Sequence, residues 1–466
     1  MRTKAHYLPL AVLLVPVALG STACTDSSPE STTASQDIVA FVDVDVIPMD
    51  EERVLAGRTV VVRDGRIAAI GASDEVDVPE GAVVVPGAGR YLVPGIAELH
   101  AHIPPPRQGR ASTEQTLFLF AANGVTTIRG MLGDPAHLKL RERAARGEIV
   151  APRILTSGPS FNGNSAPDPA AAVRMVEEQA AAGYDLLKLH PGLSRAVYDA
   201  LVEAAEREGM RFAGHVSAGV GLDRTLEAGQ ATIDHLDAYV EALAGHGGGF
   251  DPGEAGFFGF GMIDDVDRSR IADLARATAA AGVWNVPTLS LMEHLYDAND
   301  PEAMARRPEM RYVPEATVRR WVERKQAMQA APGFTRERAD SYIEVRRELV
   351  RELQANGAGI LLGSDAPQWW NVPGFSLHHE MRMMVDAGLT PYQVLEAATR
   401  NPARYVGTDE WGVIREGAVA DLILLDADPL ADLGNMSETA GVMLRGRWLP
   451  ADEIREGLDA IAEAVR

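Results

Sequence analysis

The sequence predicts an α/β protein: a (β/α)₈ TIM barrel beside a small β-sandwich built from both chain ends. Three observations carry this expectation. Eight short apolar runs alternate with helical stretches through the middle of the chain. Segments of β character lie at both ends, outside that alternation. The chain has 466 residues, 46% of them apolar, which is enough for a barrel core plus a second module.

Strands are expected over 96–100, 125–129, 153–157, 186–190, 212–216, 232–236, 283–289 and 359–365. Good helix-end signals sit between them. Asp168-Pro169 opens a run that closes at Gly183, and Thr390-Pro391 opens another. The stretch 290–347, between the seventh and eighth runs, reads as a partly helical lid. The Gly- and Phe-rich stretch 245–261 reads as a flap after the sixth. Near the N-terminus, 59–63 and 66–70 flank Asp64-Gly65 and predict a hairpin, since Asp-Gly tolerates the positive φ of a tight turn. A second β segment covers 417–425. The division that follows is a β-sandwich over 38–92 and 407–450, a barrel over 93–406 and a terminal helix over 451–466.

Residues 1–23 read as an export signal. Arg2 and Lys4 supply its positive start, 7–20 its apolar run, and Ser21-Thr22-Ala23 small residues before a cleavage point. Cys24, the single cysteine of the chain, resembles the acylated cysteine of a bacterial lipoprotein. Ser21 stands where that pattern usually has Leu, so plain cleavage after Ala23 is the other reading. Residues 24–37 read as a flexible tether. The expected location is therefore outside the cytoplasm, with membrane contact through a lipid on Cys24 alone. A net charge of −22 excludes nucleic acid as an expected partner, because phosphate binding needs a basic surface. The sequence leaves a homo-oligomer open.

The chemistry gathers at the ends of the expected strands. His100 and His102 are two apart on a strand and face the same way, so both imidazoles can reach one metal ion. His215 ends the fifth strand and His235 the sixth; taken singly, each reads as a hydrogen-bonded structural histidine. Asp365 ends the eighth, where a buried carboxylate is costly unless paired or metal-bound. Lys188 lies inside an apolar strand of a chain with four lysines against forty arginines. Two fates are open to it: an ion pair with an internal carboxylate, or carboxylation by CO₂ into an anionic ligand. His190 serves substrate contact or a structural hydrogen bond. Arg129 serves a substrate carboxylate or an internal ion pair. Tyr239 reaches a reacting oxygen or packs, and Trp369 and Trp370 wall a pocket or pack a loop. His378 and His379 belong to a helix start.

As a set, these residues resemble the amidohydrolase superfamily over nearly all of 38–450. Pro94-Gly95 with His100 and His102 resembles its first-strand motif. Lys188, His215, His235 and Asp365 match its fourth, fifth, sixth and eighth strand positions in order. Residues 417–426 and Asn401-Pro402-Ala403 resemble its later motifs. Glu98 departs from the commoner Asp, at a position that is not a ligand.

The resemblance implies that His100, His102 and Asp365 hold one metal and that His215 and His235 hold a second. Carboxylated Lys188 and a water or hydroxide would bridge the two. Lys188 favours the two-metal, prolidase-like branch over the one-metal, imidazolonepropionase-like branch. The implied activity is hydrolysis of amide or peptide bonds in a small-molecule substrate, as in a dipeptidase or N-acyl amino acid hydrolase, with Asp365 as general base. Zn²⁺ suits the implied ligands best. Hydrolysis of a lactone, carbamate or phosphotriester is the alternative on the same site. A catalytically dead surface binding protein is the alternative outside the class, and six intact ligand positions count against it.

Overall fold

The computed structural model describes residues 38–105 and 110–465, so the expected signal peptide, tether and Cys24 lie outside the described residues. The protein has a mixed α/β fold. Strands from both chain ends share one eight-stranded sheet, in which Tyr91–Pro94 joins Ile38–Val46 on one side and Leu422–Leu425 on the other. The predicted hairpin is present: Leu55–Arg63 pairs antiparallel with Arg66–Ala72. Asp64 and Gly65 turn it at φ 51° and 75°, the geometry the Asp-Gly pair was expected to supply. Alternate residues Val39, Phe41, Val60, Val62, Leu422 and Leu424 point into one apolar cluster with Trp448. The segment 417–425 is strand only from Leu422; its earlier half is loop, with Ala420 N–H bonded to the Gly65 carbonyl.

The middle of the chain carries parallel strands. Ile96–Ala101, Val125–Gly130 and Arg153–Thr156 form one sheet. Leu187–Leu189, Phe212–Gly214, Thr232–Asp234 and Trp284–Val286 form another. Parallel bridges link them: Ser157 to Leu186, Asn285 to Ile360, and Ala101 to Ala366. The run 359–365 is held by those bridges rather than as a regular strand, because Leu362 N–H bonds the Ala397 carbonyl at a helix end. The seventh strand is shorter than the predicted 283–289. The chain turns at Thr288, φ 47°, and Leu289 already begins the helix Leu289–Tyr296.

Predicted caps hold. Asp168 accepts from Ala171 N–H at the start of Pro169–Ala182, and Gly183 closes that helix at φ 80°. Thr390 forms a capping box with Gln393. The expected lid is more helical than anticipated, with Glu315–Gln329 and Arg336–Ala355 as its long members. Within 245–261 a helical turn, Pro252–Ala255, precedes a kinked 3₁₀ segment, Phe257–Asp265. His378 and His379 fall in the first turns of Phe375–Asp386. Ala451–Val465 is the expected terminal helix. Among the described residues, no helix is long and apolar enough to cross a membrane.

Candidate active site

The C-terminal ends of the parallel strands converge on one cavity of about 650 Å³. His100 and His102 reach it from the same strand face, their rings 5.5 Å apart. The His100 ring lies 4.5 Å from that of His235, which lies 4.6 Å from that of His215. His102 Nε2 is 2.6 Å from Asp365 Oδ1, and His100 Nε2 is 3.5 Å from it. One ligand atom each from His100, His235 and Asp365 falls within 4.8 Å of the others. His235 and Asp365 adopt φ of 63° and 65°, a costly conformation for residues with a Cβ and one that collects at functional sites.

The histidine nitrogens divide their work. His100 Nδ1 lies 2.9 Å from Asp234 Oδ2, His215 Nδ1 2.6 Å from Asp237 Oδ2, and His235 Nδ1 2.9 Å from Thr288 Oγ1. Oxygen partners of this kind fix the ring and leave Nε2 for a ligand. His235 Nε2 and Lys188 Nζ are buried without a hydrogen-bond partner, while Asp365 Oδ1 meets only the Nε2 atoms of His102 and His100. Such atoms cost about 1–3 kcal/mol each unless something outside the chain meets them. The donors are imidazole nitrogen and carboxylate oxygen, most of them buried, a set that suits a transition metal such as zinc.

Lys188 is completely buried, and its Nζ is 4.0 Å from Asp234 Oδ2, beyond a hydrogen bond. Its neighbour in register is Ala213, followed by Gly214 at φ 123°. A Cβ on Gly214 would stand 2.9 Å from Lys188 Cδ, so only glycine leaves a path for the lysine stem. Burial, and then the Lys188 charge, push the His215 pKa down to about 3; the same causes push His190 down to about 2. The direction of both shifts favours the neutral ring, the form that metal ligation requires.

The softer candidates separate. His190 stacks on His215 at 5.0 Å and lines the cavity, as does Trp369. Arg129, Tyr239 and Trp370 correct the substrate-contact expectation. The Arg129 guanidinium is buried and engaged by Asp234, Thr232, Tyr405 and the Leu99 carbonyl. The Tyr239 hydroxyl is taken by Thr278 and Asn285. Trp370 packs on Trp321 in a separate apolar cluster. None of the three lines the cavity: internal hydrogen bonds hold Arg129 and Tyr239, and packing holds Trp370.

Several contributors were missed in the sequence. Asp234 faces Arg129, His100 and Lys188 together, and Asp237 and Thr288 position histidines. The signal was present in part: both aspartates flank His235, and a metal-binding histidine needs an acceptor for its second nitrogen. Glu98 accepts from Ser364 N–H and its hydroxyl, each at 2.8 Å, and ties the first strand to the Asp365 segment.

Known proteins share this framework. A bottromycin amidohydrolase superposes with a TM-score of 0.72 at 22% identity, covering 92% of this chain and 91% of that one. A Xaa-Pro dipeptidase with methionine in its active site gives 0.64 at 18%, covering 89% and 100%. At these identities the likeness is one of fold. A dihydroorotase of Anaeromyxobacter dehalogenans is 33% identical over 102 residues, which is 22% of each chain. The chain thus matches about a fifth of the length of the curated relatives. The model of the amidohydrolase family matches residues 91–449, more than three quarters of the sequence. With that span matched, the chain belongs to the amidohydrolase family.

Proposed function

We propose that the protein is an exported two-metal hydrolase of amide and peptide bonds, of the dipeptidase or N-acyl amino acid hydrolase type. The observation that carries the reading is the convergence on Asp365 of His235 Nε2 and Lys188 Nζ, both buried and without a hydrogen bond, beside His215 and His235, whose Nδ1 atoms are hydrogen-bonded to Asp237 and Thr288. His100, His102 and Asp365 would hold one cation, His215 and His235 the other. Lys188, after adding CO₂ at Nζ and releasing a proton, would serve both as a carbamate. The 4.5 Å approach of His100 to His235 suits two cations close enough to share a ligand. Bound there, divalent cations supply the Lewis acidity that activates water and polarises a carbonyl. Asp365 takes the proton of the attacking water and delivers it to the leaving amine. Asp234, Asp237 and Thr288 hold the imidazoles in register.

The same reading closes the parallel strands into a (β/α)₈ barrel over 93–406, supported by the bridges Ser157–Leu186, Asn285–Ile360 and Ala101–Ala366. The terminal sheet is read as the β-sandwich over 38–92 and 407–450. Acylation at Cys24 would anchor the protein, and Cys24→Ser would release it from membranes.

The test is metal analysis joined to a substrate panel. Purified enzyme should carry about two metal ions per chain, lose activity to a chelator and regain it with Zn²⁺ or Mn²⁺. It should cleave dipeptides or N-acyl amino acids. Full activity with one metal would sink the two-metal reading. Activity confined to lactones, carbamates or phosphotriesters would replace the substrate class.

A further inference from the structure

Next to the histidine-lined cavity lies a second, of about 710 Å³. The two share His215, Pro191, Phe257 and Phe258. The aromatic pair therefore forms the partition, with the Phe258 ring stacked 6.3 Å from that of His215. Leu193, Val216 and Phe250 give the second cavity apolar walls. Two carboxylates, Asp237 and Glu241, also line it.

The two carboxylates differ. Asp237 is committed to His215 Nδ1. Glu241 is 3% exposed, and no cation among the described residues pairs with it. Arg346 acts on it through space, but that guanidinium is bonded to the His235 carbonyl and the Tyr342 hydroxyl. The hydrogen bond that Glu241 accepts comes from its own backbone amide. Gly259, at φ 79°, lets the chain close over it: a Cβ there would stand 3.0 Å from Glu241 Cδ. Burial pushes the Glu241 carboxyl up to about 7. A buried carboxylate without an ion-pair partner is costly to keep, and an apolar chamber beside a reaction site is where a substrate would bring one.

We propose that the second cavity is a substrate subsite in which Glu241 receives an ammonium group carried on an apolar chain close to the scissile amide. This deepens the amide-hydrolase reading and rests on it. The ammonium can be the α-amino group of an N-terminal residue or the end of a lysine-like side chain. Glu241 is thereby a specificity-determining residue for amides that bear a cation.

The experiment uses the metal-loaded full chain and four matched dipeptides: Lys-Leu, norleucyl-Leu and the N-acetyl form of each. At least one ammonium position should raise kcat/KM by about tenfold or more, as expected for a hydrogen bond to a charged partner. Norleucyl-Leu above its acetyl form assigns the α-amine; acetyl-Lys-Leu above acetyl-norleucyl-Leu assigns the side chain. In Glu241→Gln that ratio should collapse toward one, and Glu241→Asp should restore part of it. Equal rates on all four in the wild type, or an equal fall on all four in Glu241→Gln, would overturn the proposal. Calorimetry on the wild type gives a reading independent of catalysis and of variant folding. Hexyltrimethylammonium, which has no lone pair to give a metal, should bind more tightly than hexanol. If no amide is cleaved, the amide reading fails, and cation binding decides this subsite alone: tighter binding supports it and equal binding refutes it.

Discussion

Two of the four lysines are buried in the fold, and their surroundings could hardly differ more. Lys325 gives its Nζ to the His294 carbonyl at 2.6 Å and to Asp297 Oδ1 at 2.5 Å, over the ring of Trp370. Lys188 has no hydrogen bond, and its nearest ion-pair contact is 4.0 Å away. Both lysines are pushed toward neutrality by burial. Lys325 is a closed account of donors and acceptors and joins two helices of the segment after the seventh strand. Lys188 is open, and the carboxylates of Asp234, Asp365 and Asp237 act on it through space, with the Arg129 guanidinium opposing them. A buried cation that the fold has satisfied serves the fold; one left unsatisfied among converging ligands serves something the chain itself does not supply.

Substitution at the two lysines tests this contrast most sharply. Lys188→Met should lose metal and bring activity to background, and Lys188→Arg should not rescue it, because arginine stays cationic. Lys325→Met should keep the metal and the activity but lower stability by about 1–3 kcal/mol, since Asp297 loses its partner. Metal analysis and thermal melts on both variants check the pair. Metal retained in Lys188→Met would erase the distinction.

Asp365→Asn comes next. It keeps the shape and one oxygen but removes the base, so kcat should fall by about 10²–10⁴ with metal largely retained. The loss should be larger on amides than on aryl esters, whose leaving groups need no proton. Parallel losses on both substrates would leave Asp365 a ligand and nothing more.

Thr288→Val probes the support beneath the open site. It removes the partner of His235 Nδ1 and should weaken metal affinity by about 10–100-fold, read by competition with a chelator. Unchanged affinity would mean that His235 needs no orienting group.

The smallest effect lies on the closed side. Burial, then Arg307, hold the His294 pKa well below its ordinary value. Between that value and the unfolded one of about 6.5, the unfolded chain binds more protons. The contribution to stability is therefore full above about pH 6.5 and is lost as pH falls below it. In His294→Gln, which keeps an acceptor for Arg307, the fall in stability from pH 7 to pH 5 should be shallower. An identical slope would show that other groups set the acid limb.

Much of this was readable before the fold. Asp64-Gly65, Asp168-Pro169, Gly183 and Thr390-Pro391 mark turns and caps because their physics is local: a φ, a missing N–H, a side-chain acceptor. His100 and His102 announce a shared face because strand geometry repeats every two residues. The end of the seventh strand was overrun, since apolar 283–289 looks the same whether Leu289 sits in a strand or starts a helix.

What only the tertiary structure decided concerns partners brought from afar. Arg129 ends its strand like a substrate anchor, yet Asp234 and Tyr405 enclose it from 105 and 276 residues away. Gly214 makes room for Lys188, and Glu241 comes to border the cavity next to the histidines. The sequence by itself determined which groups can bind, cap or turn, because those properties belong to a residue and its near neighbours. Whether a group is satisfied depends on what the folded chain places within about 3 Å of it, and that distance exists only once distant segments have packed.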